Sequence, residues 1–116
     1  MSVERFEDLE VWKKAKDLAI VTYQLFRDNK DFRFCSQLQS AAVSISNNIA
    51  EGFERRSNNE LRYFLFISKG SCGEYRSMLY IAKELEYINE GNFLQLYNKA
   101  VEVSKMLFGL INSIKK

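Results

Sequence analysis

Histidine is absent from all 116 residues. That removes the commonest general base and metal ligand at neutral pH, and with it Ser-His-Asp and Cys-His catalytic arrangements. Proline is absent too, and glycine occurs only five times. So few breakers, in a chain rich in leucine, phenylalanine, tyrosine, lysine and glutamate, favour long helices with short joints. They argue against a β-sandwich or a disordered tail. Cys35 and Cys72 are the only cysteines, with no C-x-x-C pair. A zinc site or redox centre is therefore not expected, and the two thiols suit a reducing compartment as small apolar core residues. No apolar run approaches the ~18 residues that span a bilayer. The opening M-S-V-E-R-F-E-D-L-E is acidic and lacks the apolar stretch of a signal peptide, so the expected location is cytoplasmic. Neither sign of charge dominates. Residues 1–58 carry nine basic and nine acidic side chains, and residues 59–116 carry eight and six, which leaves +2. Whole-chain electrostatics offers a polyanion little.

What is present is helical periodicity. From Gln37 to Arg56, Leu38, Ala42, Ile45, Ile49 and Phe53 recur at steps of four and three, one face of a helix. Ser44, Asn48 and Glu51 stand beside that face, and Gly52 offers a left-handed stop. Similar steps join Val11, Ala15, Leu18, Thr22 and Leu25, flanked by Trp12, Tyr23 and Phe26. They recur in Leu61, Leu65, Ser68, Cys72, Tyr75, Leu79 and Ala82. In the last segment they join Leu94, Tyr97, Val101, Ser104, Phe108 and Ile111, with Val103, Leu107, Leu110 and Ile114 alongside. Asp31 suits an N-cap, and Ser57-Asn58-Asn59-Glu60 reads as a capping box. Gly70-Ser71-Cys72-Gly73 reads as a place where another helix comes close. Helices are expected over about 8–27, 32–52, 58–87 and 90–115. Short joints force neighbours antiparallel. The expected fold is all-α, an up-down-up-down antiparallel four-helix bundle forming one domain over residues 1–116.

Three blocks resemble a known family. Phe6-Glu7-Asp8-Leu9-Glu10-Val11-Trp12-Lys13-Lys14-Ala15 looks like its opening. Ala41-Ala42-Val43-Ser44-Ile45 and Asn48-Ile49-Ala50-Glu51-Gly52 look like its central signature. Phe64-Leu65, Gly70-Ser71 and Glu74, followed by Leu79-Tyr80-Ile81-Ala82, look like its third-helix motif. The family is that of proteins encoded in intervening sequences of bacterial 23S ribosomal RNA genes, related to the accessory variability proteins of diversity-generating retroelements. The resemblance implies a four-helix bundle, ring-shaped homopentamers and no catalysis. Its retroelement relatives are basic and associate with nucleic acid and a reverse transcriptase. The chain departs from the pattern at Gln39 and Ser40, where relatives commonly carry two arginines, and at Ser46, where many carry proline.

Ser44, Asn48, Glu51 and Glu74 are read as a structural polar network, because no base is in place to activate the serine. The aromatic residues, at helical spacing, are read as core or interface rather than a cofactor pocket, and no cofactor is expected. Arg62, Lys69, Arg76 and Lys83 recur every seven residues, with Phe66, Gly73, Tyr80 and Tyr87 between them. Alternating basic and aromatic groups suit a phosphate backbone with stacking bases. Long basic stems covering apolar surface would give the same pattern. Arg62, Lys69, Arg76, Lys83 and Tyr80 are thus the candidate RNA or DNA contacts. The expected function is a non-enzymatic, self-associating bundle acting as a nucleic-acid-associated accessory or scaffold. The alternative is a protein-only scaffold for a polymerase or another host protein. Expected partners are further copies of the chain, in a pentamer, then RNA or DNA, or another protein, and no membrane.

Overall fold

The computed structural model describes residues 3–115. A 3-10 turn at Phe6–Asp8 precedes α1 (Glu10–Leu25), α2 (Phe32–Phe53), α3 (Asn58–Glu84) and α4 (Glu90–Ser113). Packing neighbours run α1 to α2 to α3 to α4 and back to α1, the pattern of an antiparallel four-helix bundle. The bundle measures 43 × 21 × 20 Å.

Local chemistry sets the ends. Asp31 caps α2 by accepting from the Phe34 amide at 3.1 Å, and Asn89 caps α4 by accepting from the Asn92 amide at 2.7 Å. Ser57 caps α3 by accepting from the Glu60 amide at 3.1 Å. The box is closed differently from the expected pattern, since the Glu60 carboxylate accepts from the Ser57 hydroxyl instead of its backbone amide. The end of α3 falls three residues before the expected Tyr87. Tyr87 donates its amide to the Ala82 carbonyl and Glu86 donates to Lys83, a Schellman arrangement. Glu86 takes the left-handed position at φ 60°, which normally favours glycine.

Most of the expected seams are buried. Ala15, Leu18, Leu38, Ala42, Ile45, Ile49, Leu65, Cys72, Tyr75, Leu79 and Ala82 all lie in the core. Two polar links cross it. Thr22 donates to the Leu18 carbonyl at 2.7 Å, so the Tyr75 hydroxyl, 2.6 Å away, is the donor to Thr22. Ser68 donates to the Ile45 carbonyl at 2.7 Å, tying α3 to α2. Ser46 is buried in an unbroken α2 and donates to the Val43 carbonyl.

Three expectations fail. First, α4 is turned by about one residue: Phe93, Leu96, Ala100, Val103, Leu107 and Ile111 face inward, while Leu94 and Phe108 face out. Both rows have helical spacing, and packing against α1 and α3 chose between them. Second, Gly52 is not a left-handed stop, because it lies inside α2 and no described glycine has a positive φ. Its role is close approach. A Cβ there would stand 3.0 Å from the Phe64 Cβ and 3.1 Å from the Leu61 Cδ1. Third, within Gly70–Gly73 it is Ser71, bonded to Ser44 of α2, and the buried Cys72 that pack inward, while the two glycines admit no neighbouring helix of this chain. A Cβ at Gly70 would meet nothing within 4 Å, and one at Gly73 only the Arg76 Nη2 at 3.9 Å. The aromatics flanking the helix-one seam are also largely used within the chain. Phe26 is buried, and Trp12 packs edge-on to Phe6 with centroids 5.0 Å apart.

Candidate binding face of helices three and four

The seven-residue basic row of α3 faces the edge of α4, and each of its four members meets it differently. Arg62 donates through Nη1 to the Ile111 carbonyl at 2.8 Å. That carbonyl lies in the last turn of α4, where the helix dipole is negative, and it also accepts from the Ile114 amide at 3.3 Å. Lys69 places its Nζ 5.8 Å from the Phe108 ring centroid. Lys83 stands 3.1 Å from a Glu90 carboxylate oxygen and 4.6 Å from the Phe93 centroid. Arg76 lies between them, with its Nε buried and without an acceptor. All four are half-buried. Arg62 and Lys83 therefore stitch α3 to α4, while Lys69 and Arg76 keep charge that no described carboxylate neutralises.

Around Arg76 the rings of Tyr80, Phe93 and Tyr97 form a cluster with centroids 5.2 to 5.5 Å apart. The adjacent Tyr80 hydroxyl, with help from Arg76, holds the Tyr97 phenol below its ordinary value, and the Tyr97 hydroxyl pushes Tyr80 up. Phe66, Tyr80, Leu94 and Phe108 are 50%, 50%, 46% and 54% exposed along this face. The four-three spacing of the sequence puts Leu94, Tyr97 and Phe108 in the core seam. The one-residue turn of α4 brings Leu94 and Phe108 to this face and leaves Tyr97 half-buried, and the seven-residue spacing of Leu94, Val101 and Phe108 was the available signal.

The polar network forms only in part. Asn48 donates through Nδ2 to the Ser44 carbonyl at 2.8 Å and to the Ser44 Oγ at 2.9 Å, and Ser44 shares a 2.9 Å hydrogen bond with Ser71 of α3. Glu51 stays outside it on the surface, 3.7 Å from Arg55, which also lies 3.9 Å from Glu60. Glu74 is exposed and borders a shallow groove with Ser36, Ser40 and Ser44. Neither glutamate pairs with an arginine of α3.

Burial pushes the Cys72 thiol up to about 11 and also raises Cys35, so both stay protonated at neutral pH. Among the described residues, no three Cys, Asp or Glu side chains gather to hold a metal ion. No described helix is long and apolar enough to cross a membrane. A cleft of about 510 Å³ opens at the bundle end between Arg55, Arg56, Ser57, Leu61, Ile114 and Lys115. Its Arg55 is already occupied by Glu51 and Glu60 and lies over the Phe64 ring.

Comparison with known proteins supports the fold. No curated protein matches the chain. The crystal structure of a protein of unknown function from the S23 ribosomal protein family of Bacteroides thetaiotaomicron is similar, with a TM-score of 0.82 and 24% identity. The match covers 87% of this chain and 97% of that one. The family model described as 23S rRNA-intervening sequence protein matches residues 7–109, from the 3-10 turn into the last turns of α4. This chain belongs to the 23S rRNA-intervening sequence protein family.

Proposed function

We propose that this protein is a non-catalytic, self-associating helical scaffold of the cytoplasm, which works by holding other proteins. One observation carries the reading. Of ten exposed large apolar side chains among the described residues, seven lie on α3, its C-cap or α4, and Ile20, Tyr23 and Phe32 lie on the α1 and α2 side. A bundle already packed around a full core has no use for that surface, and exposed apolar patches of this kind mark interfaces. Two separate groups on different helices suit unlike contacts that close into a ring. The number five rests on the family resemblance alone. The Ser44, Asn48 and Ser71 side chains bond one another and no base, which supports a structural role for them. Light scattering across micromolar concentrations is expected to give a multiple of the 13.6 kDa chain mass, five for a pentamer. A constant monomer mass would remove self-association.

A second reading, a nucleic-acid-associated accessory like the retroelement proteins the sequence resembles, is favoured by Lys69 and Arg76 beside the half-exposed Tyr80. One chain carries only +2, whereas five would carry about +10 and repeat the contact. Each phosphate neutralised adds about −0.7 (single strand) or −0.9 (duplex DNA) to the slope of log affinity against log salt. Lys69→Glu with Arg76→Glu should then weaken binding and flatten that slope in a folded protein. Equal affinities would leave the protein scaffold as the sole reading.

A further inference from the structure

We propose that α1 of one copy docks on α3 of a second copy, both running in the same direction, with oppositely charged edges pairing across the contact. This contact rests on the self-association reading above and adds to it the surfaces and their polarity. In the bundle α1 and α3 occupy opposite corners and do not touch among the described residues. The up-down-up-down order points them the same way. In a ring whose axis runs along the bundles, α1 of each copy therefore meets α3 of its neighbour in parallel. The sides of both helices that face α4 then come together, and so do the sides that face α2.

Charge fits that geometry. On the α4 side of α1, Glu10 and Asp17 stand seven residues apart, and Asp17 borders Lys99 of α4. On the α4 side of α3, Lys69 and Arg76 are also seven apart, with Lys69 beside Phe108. Both intervals measure roughly 10 Å at ~1.5 Å per residue, so one register forms two ion pairs. The α2 sides have the reverse signs. There α1 carries Lys16, in line with Tyr23, which borders Cys35 and Gln39 of α2. Its counterpart on α3 is Glu74, which borders Ser36, Ser40 and Ser44. Antiparallel docking would instead set Glu10 and Asp17 on Glu74, and Lys16 on Lys69 and Arg76, like charge on like.

These groups are not neutralised inside the chain. Lys16, Asp17, Lys69, Glu74 and Arg76 have no opposite charge within 4 Å among the described residues. Lys14 is held by Glu102 and Lys13 by Glu10, and the exposed 3.4 Å Glu10–Lys13 pair is loose enough to share its carboxylate. Between the charged edges lie the exposed Ile20 and Tyr23 on α1, and Phe66 and Tyr80 on α3. Glycine weakens a helix interior, yet a Cβ at Gly70 would meet open space and one at Gly73 only the Arg76 tip. That bare stretch of α3 lets the neighbour's α1 come close.

The test exchanges charges in the full chain and reads mass by sedimentation at fixed salt. Glu10→Lys with Asp17→Lys should raise the concentration for half-assembly about tenfold or more, as should Lys69→Glu with Arg76→Glu. All four changes in one chain rebuild the pairs with reversed sign and should recover assembly. Arg56→Glu and Lys115→Glu, added to Glu10→Lys and Asp17→Lys, also return the net charge to +2 but should not recover it. Circular dichroism checks each fold. Arg76 is half-buried, so Asp17→Cys with Arg76→Cys gives a second reading. Oxidised glutathione should link those copies into a ladder on a gel, while neither single variant links. Assembly unchanged by either reversed pair overturns this contact and leaves self-association standing through another surface. A folded fourfold variant that stays apart, with no ladder from the cysteine pair, overturns it too. Lost oligonucleotide binding with unchanged assembly in Lys69→Glu with Arg76→Glu gives the cations to nucleic acid. A wild type that is monomeric at every concentration removes the self-association reading, and this contact with it.

Discussion

The hydrogen bond between Tyr75 and Thr22 is the sharpest place to test how this bundle is held together. Tyr75 is fully buried, and its hydroxyl donates at 2.6 Å to a threonine oxygen whose own proton goes to the Leu18 carbonyl. Thr22→Val keeps the shape but strands the Tyr75 hydroxyl without an acceptor. An unpaired buried donor costs about 1–3 kcal/mol. Tyr75→Phe removes the donor instead. Thr22 stays bonded to Leu18, so the loss is one net hydrogen bond, about 0.5–1.5 kcal/mol. Combining the two leaves an apolar pair with nothing stranded, so the double variant should be at least as stable as Thr22→Val. At ~2.1 cal/mol/K per residue, 116 residues shift the midpoint by about 4 °C per kcal/mol. Thr22→Val should therefore melt roughly 4–12 °C below wild type, and adding Tyr75→Phe should recover part of that. Thermal and urea unfolding of all four proteins at one fixed concentration reads the cycle, since assembly makes the midpoint concentration-dependent. Strict additivity, or a Thr22→Val protein as stable as wild type, would refute the assignment of donor and acceptor.

Other consequences are testable on the same samples. Gly70→Ala should gain roughly 1 kcal/mol in urea unfolding, because a Cβ there meets open space, whereas Gly52→Ala should lose stability against Phe64 and Leu61. Glu86→Gly should raise the unfolding midpoint, with ~1 kcal/mol as the scale, by relieving the left-handed residue at the end of α3. The Tyr87 hydroxyl donates to Asp31 at 2.6 Å and, together with the Phe34 amide, holds the Asp31 carboxyl below the ordinary carboxylate value. A depressed carboxyl pKa contributes stability above the unfolded value, lost as pH falls through the folded one. Unfolding midpoints should therefore drop below about pH 4, and less steeply in Tyr87→Phe.

Much of this fold could be read along the chain, because a helix converts residue order into a face at a fixed angle per residue. The seams of α2 and α3 lie where the four-three spacing puts them, and Asp31, Ser57 and Asn89 cap helices because a short polar side chain reaches amides two or three residues on. Such interactions are local. Orientation about the helix axis is not local when apolar residues cover much of the circumference. For α4 the sequence offered two rows one residue apart, and only packing against α1 and α3 decided that Phe93, Leu96 and Val103 go in while Leu94 and Phe108 stay out. The candidate site follows the same division. Spacing put Arg62, Lys69, Arg76 and Lys83 on one face of α3. Whether each cation was free depended on which atoms of α4 came opposite, and those were the Ile111 carbonyl, the Phe108 ring and the Glu90 carboxylate. Gly52 and Gly73 look alike in sequence. Tertiary structure alone gives one a neighbour at 3.0 Å and leaves the other open, because a glycine's use depends on what stands where its side chain would be.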